Sequence, residues 1–156
     1  MHMVVDSNQL QSPRLRAFLE ASSANRVVLT DYVAMEALQG DAVKSICNAM
    51  RIIGAYSEQV IVLRNTQVIC QLSGRAAGLQ KRMIHKGQTA GFPEYIHKLN
   101  AAERGDQSVM AEIRRMALDA NQQLVRMLDD ASKLAQNFDN LAVDFDKEDR
   151  RKIRSG

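Results

Sequence analysis

Val4-Val5-Asp6-Ser7-Asn8 reads as the end of a buried strand. The apolar run from Met3 to Val5 stops at a carboxylate, and small polar turn formers follow before a helix-like segment opens at Ser12-Pro13. In an α/β protein a parallel strand buried between layers ends in this way, and binding and catalytic groups collect at such strand ends. Asp6 is therefore the residue around which the other candidates are arranged.

The segments on its C-terminal side alternate. Ser12 to Ala21 carries Pro13 in a first-turn position, with Leu15, Phe18 and Leu19 at helical spacing, which predicts a short amphipathic helix capped by Ser12. Val27-Val28-Leu29 is a second strand-like run, and Thr30-Asp31 suits the cap of a helix with the stripe Val33, Ala34, Ala37 and Leu38. Glu36 falls on the neighbouring face of that helix. From Asp41 to Ala55 the apolar positions Val43, Ile46, Cys47, Met50 and Ile53 keep the helical period. Val60 to Leu63 is a continuous apolar run, as expected of a strand buried on both faces. Gln67 to Leu72 fits another strand or the start of a helix. Strands alternating with helices predict an α/β fold with a small parallel sheet, because right-handed crossovers bring successive strands together in parallel.

At 156 residues the chain is long enough for one domain with a real core, or a small domain with a helical extension. A share of 46% apolar and 25% charged residues is that of a folding chain. Aromatics are only 4% and Trp is absent, which argues against stacking of bases on aromatic platforms. No apolar stretch approaches the roughly 20 residues that span a bilayer, and the N-terminus shows no leader pattern. A cytoplasmic protein without membrane partners is the expectation. Cys47 and Cys70 lack CxxC spacing and sit in apolar patterns, which predicts two buried, reduced thiols.

The second half changes character. Between Gln59 and Pro93 there is no acidic residue, while Arg64, Arg75, Lys81, Arg82 and Lys86 add positive charge and Gly74, Gly78, Gly87 and Gly91 punctuate the segment. Such a stretch suits a loop or short helix that meets phosphate, and equally a solvated linker. No GxxxxGK[ST] occurs, which excludes a P-loop. Pro93 to Ala102 predicts a helix closed by Gly105-Asp106. Beyond it Val109, Ile113, Met116, Ala120, Leu124, Met127, Ala131, Leu134, Phe138 and Leu141 step by four and three, which predicts one long helix with a heptad-like seam. A homodimer through the 108–141 helix and an intramolecular hairpin partner both fit that seam. The tail from Asp144 to Arg154 is nearly all charge and reads as frayed or solvated. The expected organisation is an α/β core over 1–72 and a basic loop and helical region over 73–156 packed on the same domain.

His2, His85 and His97 stand in no nucleophile pattern, and neither GxSxG nor HExxH occurs. Carboxylates remain. Asp6 at one strand end and Glu36 on the helix after the next strand can converge above the same sheet edge, because parallel strands deliver their C-terminal ends to one side. Carboxylate and water ligands suit Mg²⁺ or Mn²⁺, and such an ion activates water and stabilises charge developing on a phosphodiester. The plainer alternative is that Asp6 caps a helix and Glu36 lies on a solvated face.

The succession VVDSN, helix, VVLTDYVAMEAL, helix and QVIVL resembles the first half of a PIN domain over about residues 3–65. In that family a strand-end Asp, followed by a small polar residue and often Asn, is paired with a Glu on the helix after the next strand; the matching positions are Asp6, Ser7, Asn8 and Glu36. The resemblance implies a PIN-like three-layer fold and a Mg²⁺- or Mn²⁺-dependent nuclease acting on RNA or single-stranded nucleic acid. Asp6 and Glu36 would be its metal-holding catalytic pair, supported by Ser7 and Asn8, and Arg75, Lys81, Arg82 and Lys86 would bind the phosphate backbone. A protein inhibitor or other protein partner would accompany such an enzyme. The family also needs a third acidic residue from a second α/β half, whereas this chain turns basic and then helical. Asp129, Asp130, Asp139, Asp144, Asp146 and Asp149 are the acids on offer, none after a strand. Either a divergent element supplies the third acid, or it lies beyond a truncated end, or the site is incomplete. The alternatives are a catalytically silent PIN-like module that binds nucleic acid or protein, and a structural protein that oligomerises through its long helix.

Overall fold

The computed structural model describes the backbone of residues 1–75 and 77–154 and the side chains of residues 1–75 and 77–139. It is a mixed α/β structure, 70% helical, with a small three-stranded parallel sheet and a long C-terminal helix. Two compact units divide it, Met1–Ala120 and Asn121–Gly156. The division lies inside the last helix, whereas the sequence reading draws its line at residue 72; the basic segment and the helix after it belong to the same unit as the sheet.

Strands β1 (His2–Val4), β2 (Arg26–Leu29) and β3 (Val60–Val62) lie side by side in the order β1-β2-β3, with Met3 opposite Val27 and Val27 opposite Val60. The central strand is the most buried, with Val27, Val28 and Leu29 all inside the core. Helix α1 (Pro13–Glu20) returns the chain from β1 to β2, with Pro13 in its first turn and the Ser12 hydroxyl accepting from the Arg14 N–H. Both agree with the sequence pattern. Helices α2 (Asp31–Ala37) and α3 (Ala42–Gly54) lead from β2 to β3. Thr30 caps α2, Asp41 caps α3, and α3 buries Ile46, Ala49, Met50, Ile52 and Ile53. The stripe predicted on α2 needs correcting, because Ala34 is exposed and Met35 is buried with Val33, Ala37 and Leu38. This short helix is packed on two sides.

Val60 is buried, but Ile61, Val62 and Leu63 are only half-buried, so the strand predicted to be buried on both faces is instead an edge strand of the sheet. Its outer edge is partly paired. The Arg64 N–H donates to the Met83 carbonyl at 2.8 Å, the His85 N–H donates to the Val62 carbonyl at 2.8 Å, and Leu63 and Ile84 form an antiparallel bridge. The Val62 N–H donates to the Thr89 hydroxyl at 3.0 Å. The stretch that fits a strand or a helix start is a short helix, α4 (Thr66–Cys70), and the basic segment folds into α5 (Leu79–Met83) and α6 (Lys86–Ala90). Cys70 is exposed and Cys47 half-buried, which corrects the expectation of two buried thiols. A helix as short as α4 buries none of its residues, so an apolar neighbourhood in sequence did not give Cys70 a core position.

Helix α7 (Phe92–Glu103) packs on α3, with Phe92, Leu99 and Ala102 buried, and α8 (Gln107–Arg154) follows it. Ile113 and Ala120 of α8 are buried in the first unit. The backbone of the charged tail is helical through Arg154; its side chains, with Leu141 of the predicted seam, lie outside the described residues. Among the described residues no helix is long and apolar enough to cross a membrane.

Gln59 is the buried polar residue among the described residues, and its amide nitrogen donates to the carbonyls of Leu19, Ser22 and Asn25 at 3.3, 2.9 and 2.9 Å. These bonds tie the end of α1 and the turn into β2 to the entry of β3. Gln59→Leu leaves those carbonyls without this donor and is expected to cost about 1–3 kcal/mol, measured by urea unfolding. On α7 the Tyr95 phenol is pushed up to about 12, first by burial and then by the neighbouring Cys47 and Glu112. In the unfolded chain the phenol titrates near 10, so the native state holds this proton more tightly there. The stability this contributes is complete below pH 10 and is lost as pH rises through about 12. Tyr95→Phe removes that titration, and its melting temperature should fall less steeply than the parent's between those two pH values.

Candidate functional site

Three parallel strands place three chain turns on one side of the sheet: Asp6-Ser7 after β1, Thr30-Asp31 after β2 and Asn65-Thr66 after β3. In open α/β sheets this C-terminal edge is where ligands bind. Each turn is closed in the same way. The Asp6 carboxylate accepts from the Gln9 N–H at 2.8 Å, the Thr30 hydroxyl from the Val33 N–H at 3.4 Å, and the Asn65 carbonyl oxygen from the Val68 N–H at 2.9 Å. A side-chain oxygen thus satisfies an amide that the first turn of a helix leaves unpaired.

Asp6 therefore does what its plainer reading implies. Its Oδ1 starts the 3-10 turn Ser7–Gln11, which Leu10, fully buried, anchors to the core. The carboxylate is otherwise exposed. Glu36, on α2, is exposed as well. Between the 3-10 turn, α2 and α3 lies an open depression of about 290 Å³ whose lining includes Ser7, Asn8, Gln11, Glu36, Gln39 and Asn48. The structure thus brings Glu36 together with Ser7 and Asn8, the two residues that follow Asp6. Asp6 stands at the beginning of that turn rather than among the lining residues. The depression offers amide and hydroxyl groups around one carboxylate, a donor set of hard oxygens.

A second carboxylate at this edge has a different task. Asp31 Oδ2 accepts from the Thr66 N–H at 2.8 Å and its Oδ1 from the Thr66 hydroxyl at 2.9 Å, both part-buried. Asp31 thereby clamps the start of α2 to the start of α4 and holds the ends of β2 and β3 together. Sequence alone assigns Thr30-Asp31 as a helix cap and does not reveal the clamp.

The basic candidates lie beyond β3, at the sheet edge opposite β1 and Asp6. At about 4.8 Å between neighbouring strands, the Met83–His85 segment is displaced by roughly 14 Å from β1. Arg75, Lys81, Arg82 and Lys86 are all exposed. Arg82 is engaged in structure, because its guanidinium donates to the carbonyls of Ser73 and Arg75 at 3.2 Å each and closes the loop before α5. Asp129, Asp130 and Asp139 are exposed positions of the second unit, and Asp144, Asp146 and Asp149 lie outside the described side chains. Among the described residues no group of three His, Cys, Asp or Glu side chains comes together as a metal site.

No family model matches this sequence, and neither curated proteins nor solved structures give a match.

The two acids at the sheet edge differ in a measurable way. Asp31→Ala removes the acceptors of a part-buried amide and hydroxyl and is expected to destabilise the chain by about 1–3 kcal/mol. Asp6→Asn keeps an acceptor for the Gln9 N–H and should change stability by only a few tenths of a kcal/mol, because Asn and Asp are near-equivalent caps. Urea unfolding of the two variants beside the parent checks both.

Proposed function

We propose that the C-terminal edge of the sheet is a PIN-like, divalent-metal-dependent site that hydrolyses phosphodiesters of RNA or single-stranded nucleic acid. The observation that carries this reading is that Glu36 opens onto one polar depression with Ser7 and Asn8, directly after the strand-end Asp6. The donor chemistry fits a hard cation: Asp6 and Glu36 are exposed carboxylates, and Ser7 and Asn8 add neutral oxygens. Asp6 and Glu36 would hold Mg²⁺ or Mn²⁺, and Ser7 and Asn8 would orient the ligands around it. When bound, the ion supplies an activated water and neutralises charge on the phosphate. Arg75, Lys81 and Lys86 would draw the nucleic-acid backbone along the sheet edge from the β3 side, while Arg82 shapes the loop that presents them.

A second reading is a PIN-like module that binds nucleic acid or a protein without cutting. The observation favouring it is that no group of three His, Cys, Asp or Glu side chains comes together as a metal site among the described residues, and that Asp6 does not line the depression with Glu36. Mg²⁺ is held in many phosphate-handling sites by one or two carboxylates with water and substrate phosphate completing its shell, so two carboxylates are compatible with the first reading.

Cleavage of a labelled single-stranded RNA in Mg²⁺ or Mn²⁺ separates the two. Asp6→Asn and Glu36→Gln should each lower the rate by roughly 100-fold or more, the scale of losing one group that stabilises developing charge. Equal rates in parent and variants would sink the nuclease assignment. Salt-dependent RNA binding without cleavage would establish the binding module instead. In that case Lys81→Ala and Lys86→Ala should each weaken binding and reduce the salt slope by about 1, because one phosphate fewer is neutralised.

A further inference from the structure

Among the described aromatic residues of the Met1–Ala120 unit, Tyr32 is the one left open to solvent, at 41% exposure. The others are buried or half-buried, and Tyr56 spends its hydroxyl on the Glu20 carboxylate at 2.9 Å. The helix that carries Tyr32 explains its exposure. At about 100° per residue, Tyr32 and Glu36 fall within roughly 40° of each other on α2 and one turn apart. Met35 on one side of them, and Val33 with Ala37 on the other, are buried, whereas Tyr32 and Glu36 are both exposed. Ring and carboxylate therefore share one open ridge between the two packed sides of the helix.

The place of this ridge on the sheet gives it a use. Tyr32 lies in the first turn of α2, directly after the middle strand β2. Ser7 and Asn8 follow β1 on one side, and the exposed Arg75, Lys81 and Lys86 follow β3 on the other. A nucleic-acid backbone drawn from those cations towards Glu36 crosses the end of β2, where Tyr32 stands. The chain beneath the ring is fixed: the Tyr32 N–H donates to Asp31 Oδ1 at 3.1 Å, and the same carboxylate is tied to Thr66. A tyrosine on a pinned backbone has two side-chain torsions to order, so little freedom is lost when its face is covered. The segment from Gln59 to Pro93 carries no acid, and such a uniformly basic flank matches a polyanion better than the mixed charges of a protein surface. Aromatics at 4% argue against a row of stacked bases, but one ring suffices for one base, because every base has a π-face. In a duplex that face is already covered by the neighbouring base pairs, whereas a single strand can present it.

We propose that Tyr32 is the platform on which one base of a single-stranded nucleic acid stacks beside Glu36, and that this contact makes the sheet edge prefer single strands to duplexes. The inference rests on the reading of this edge as a nucleic-acid site, with or without cleavage.

Oligouridine carrying 2-aminopurine, whose fluorescence falls when the base stacks, tests it by titration with the full chain in EDTA, where metal-dependent cleavage cannot occur. The parent should quench the probe, and Tyr32→Phe, which keeps the ring, should quench it equally. Tyr32→Ala should abolish the quench and bind roughly 5- to 100-fold more weakly, the range one base–aromatic stack supplies. Tyr32→Leu fills the same surface without a π-face and should also lose the quench, which keeps the test independent of any folding defect in the alanine variant. Lys81→Ala should weaken binding but leave the quench at saturation unchanged. The same oligonucleotide annealed to its complement should bind the parent and Tyr32→Ala alike. Equal affinity and equal quench in the parent and Tyr32→Ala would overturn the inference, as would a parent that binds no single-stranded RNA. Failure of the nuclease reading leaves a different trace. A parent that quenches through Tyr32 yet cuts no RNA in Mg²⁺ or Mn²⁺ keeps the platform and loses the nuclease. A parent that cuts RNA with the same KM after Tyr32→Ala keeps the nuclease and loses the platform.

Discussion

The backbone of strand β2 is hydrogen-bonded on both sides, and this constraint organises the first unit. Val27, Val28 and Leu29 are buried, and their strand is joined in parallel to β1 on one side and to β3 on the other. Buried amides and carbonyls must find partners, and here strand pairing supplies them. Parallel pairing requires a crossover between each pair of strands, which is the work of α1 and of α2 with α3. It also sends all three strand ends to one side. The clustering of Asp6, Asp31 and Thr66 at that edge follows from the sheet, before any chemistry is assigned to them.

How those ends are closed determines which polar groups remain for a ligand. Thr30 and Asn65 use their side-chain oxygens as caps, and Asp31 uses both carboxylate oxygens on Thr66. Asp6 uses Oδ1 on Gln9. The other Asp6 oxygen and the Glu36 carboxylate are therefore the acidic groups of this edge that the fold does not itself engage through a described hydrogen bond. Fold and candidate site share one short segment, because the 3-10 turn that begins on Asp6 also supplies Ser7 and Asn8 to the depression under Glu36.

What is legible in the sequence is local. Each strand is visible as a brief apolar run ending at a polar pair, and each cap as an oxygen-bearing residue two or three positions before the amide it satisfies. Ser12-Pro13, Thr30 and Asp41 can be assigned from that grammar alone. Long-range facts cannot. The bridge between Leu63 and Ile84 involves one residue pair and leaves no periodicity, so β3 reads as a buried strand although it is an edge. Cys70 lies in an apolar neighbourhood, yet a helix of five residues with none buried gives it no core to enter. The Asp31–Thr66 clamp joins residues 35 positions apart, and pairing at that separation has no signature in a single sequence. For the same reason sequence can place Glu36 on a helix face but not in a depression with Ser7 and Asn8.

On the proposed reading, having two carboxylates rather than three changes how the site would work. Two carboxylates and one divalent cation sum to zero charge, so the loaded site neither repels nor strongly attracts a phosphate diester through net charge. Attraction at a distance then falls to the basic residues beyond β3, and binding at the metal falls to coordination by phosphate oxygen. A cation held by so few charged ligands keeps several waters and gains ligands from the substrate as it binds. Metal and nucleic acid would therefore bind cooperatively, each raising the affinity of the other by the same factor, as linkage requires. Specificity in such a site comes from the polar lining rather than from the acids. Gln11, Gln39 and Asn48 carry amides that can donate and accept hydrogen bonds, and they line the same depression as Glu36, where on that reading a nucleotide next to the bound phosphate would rest.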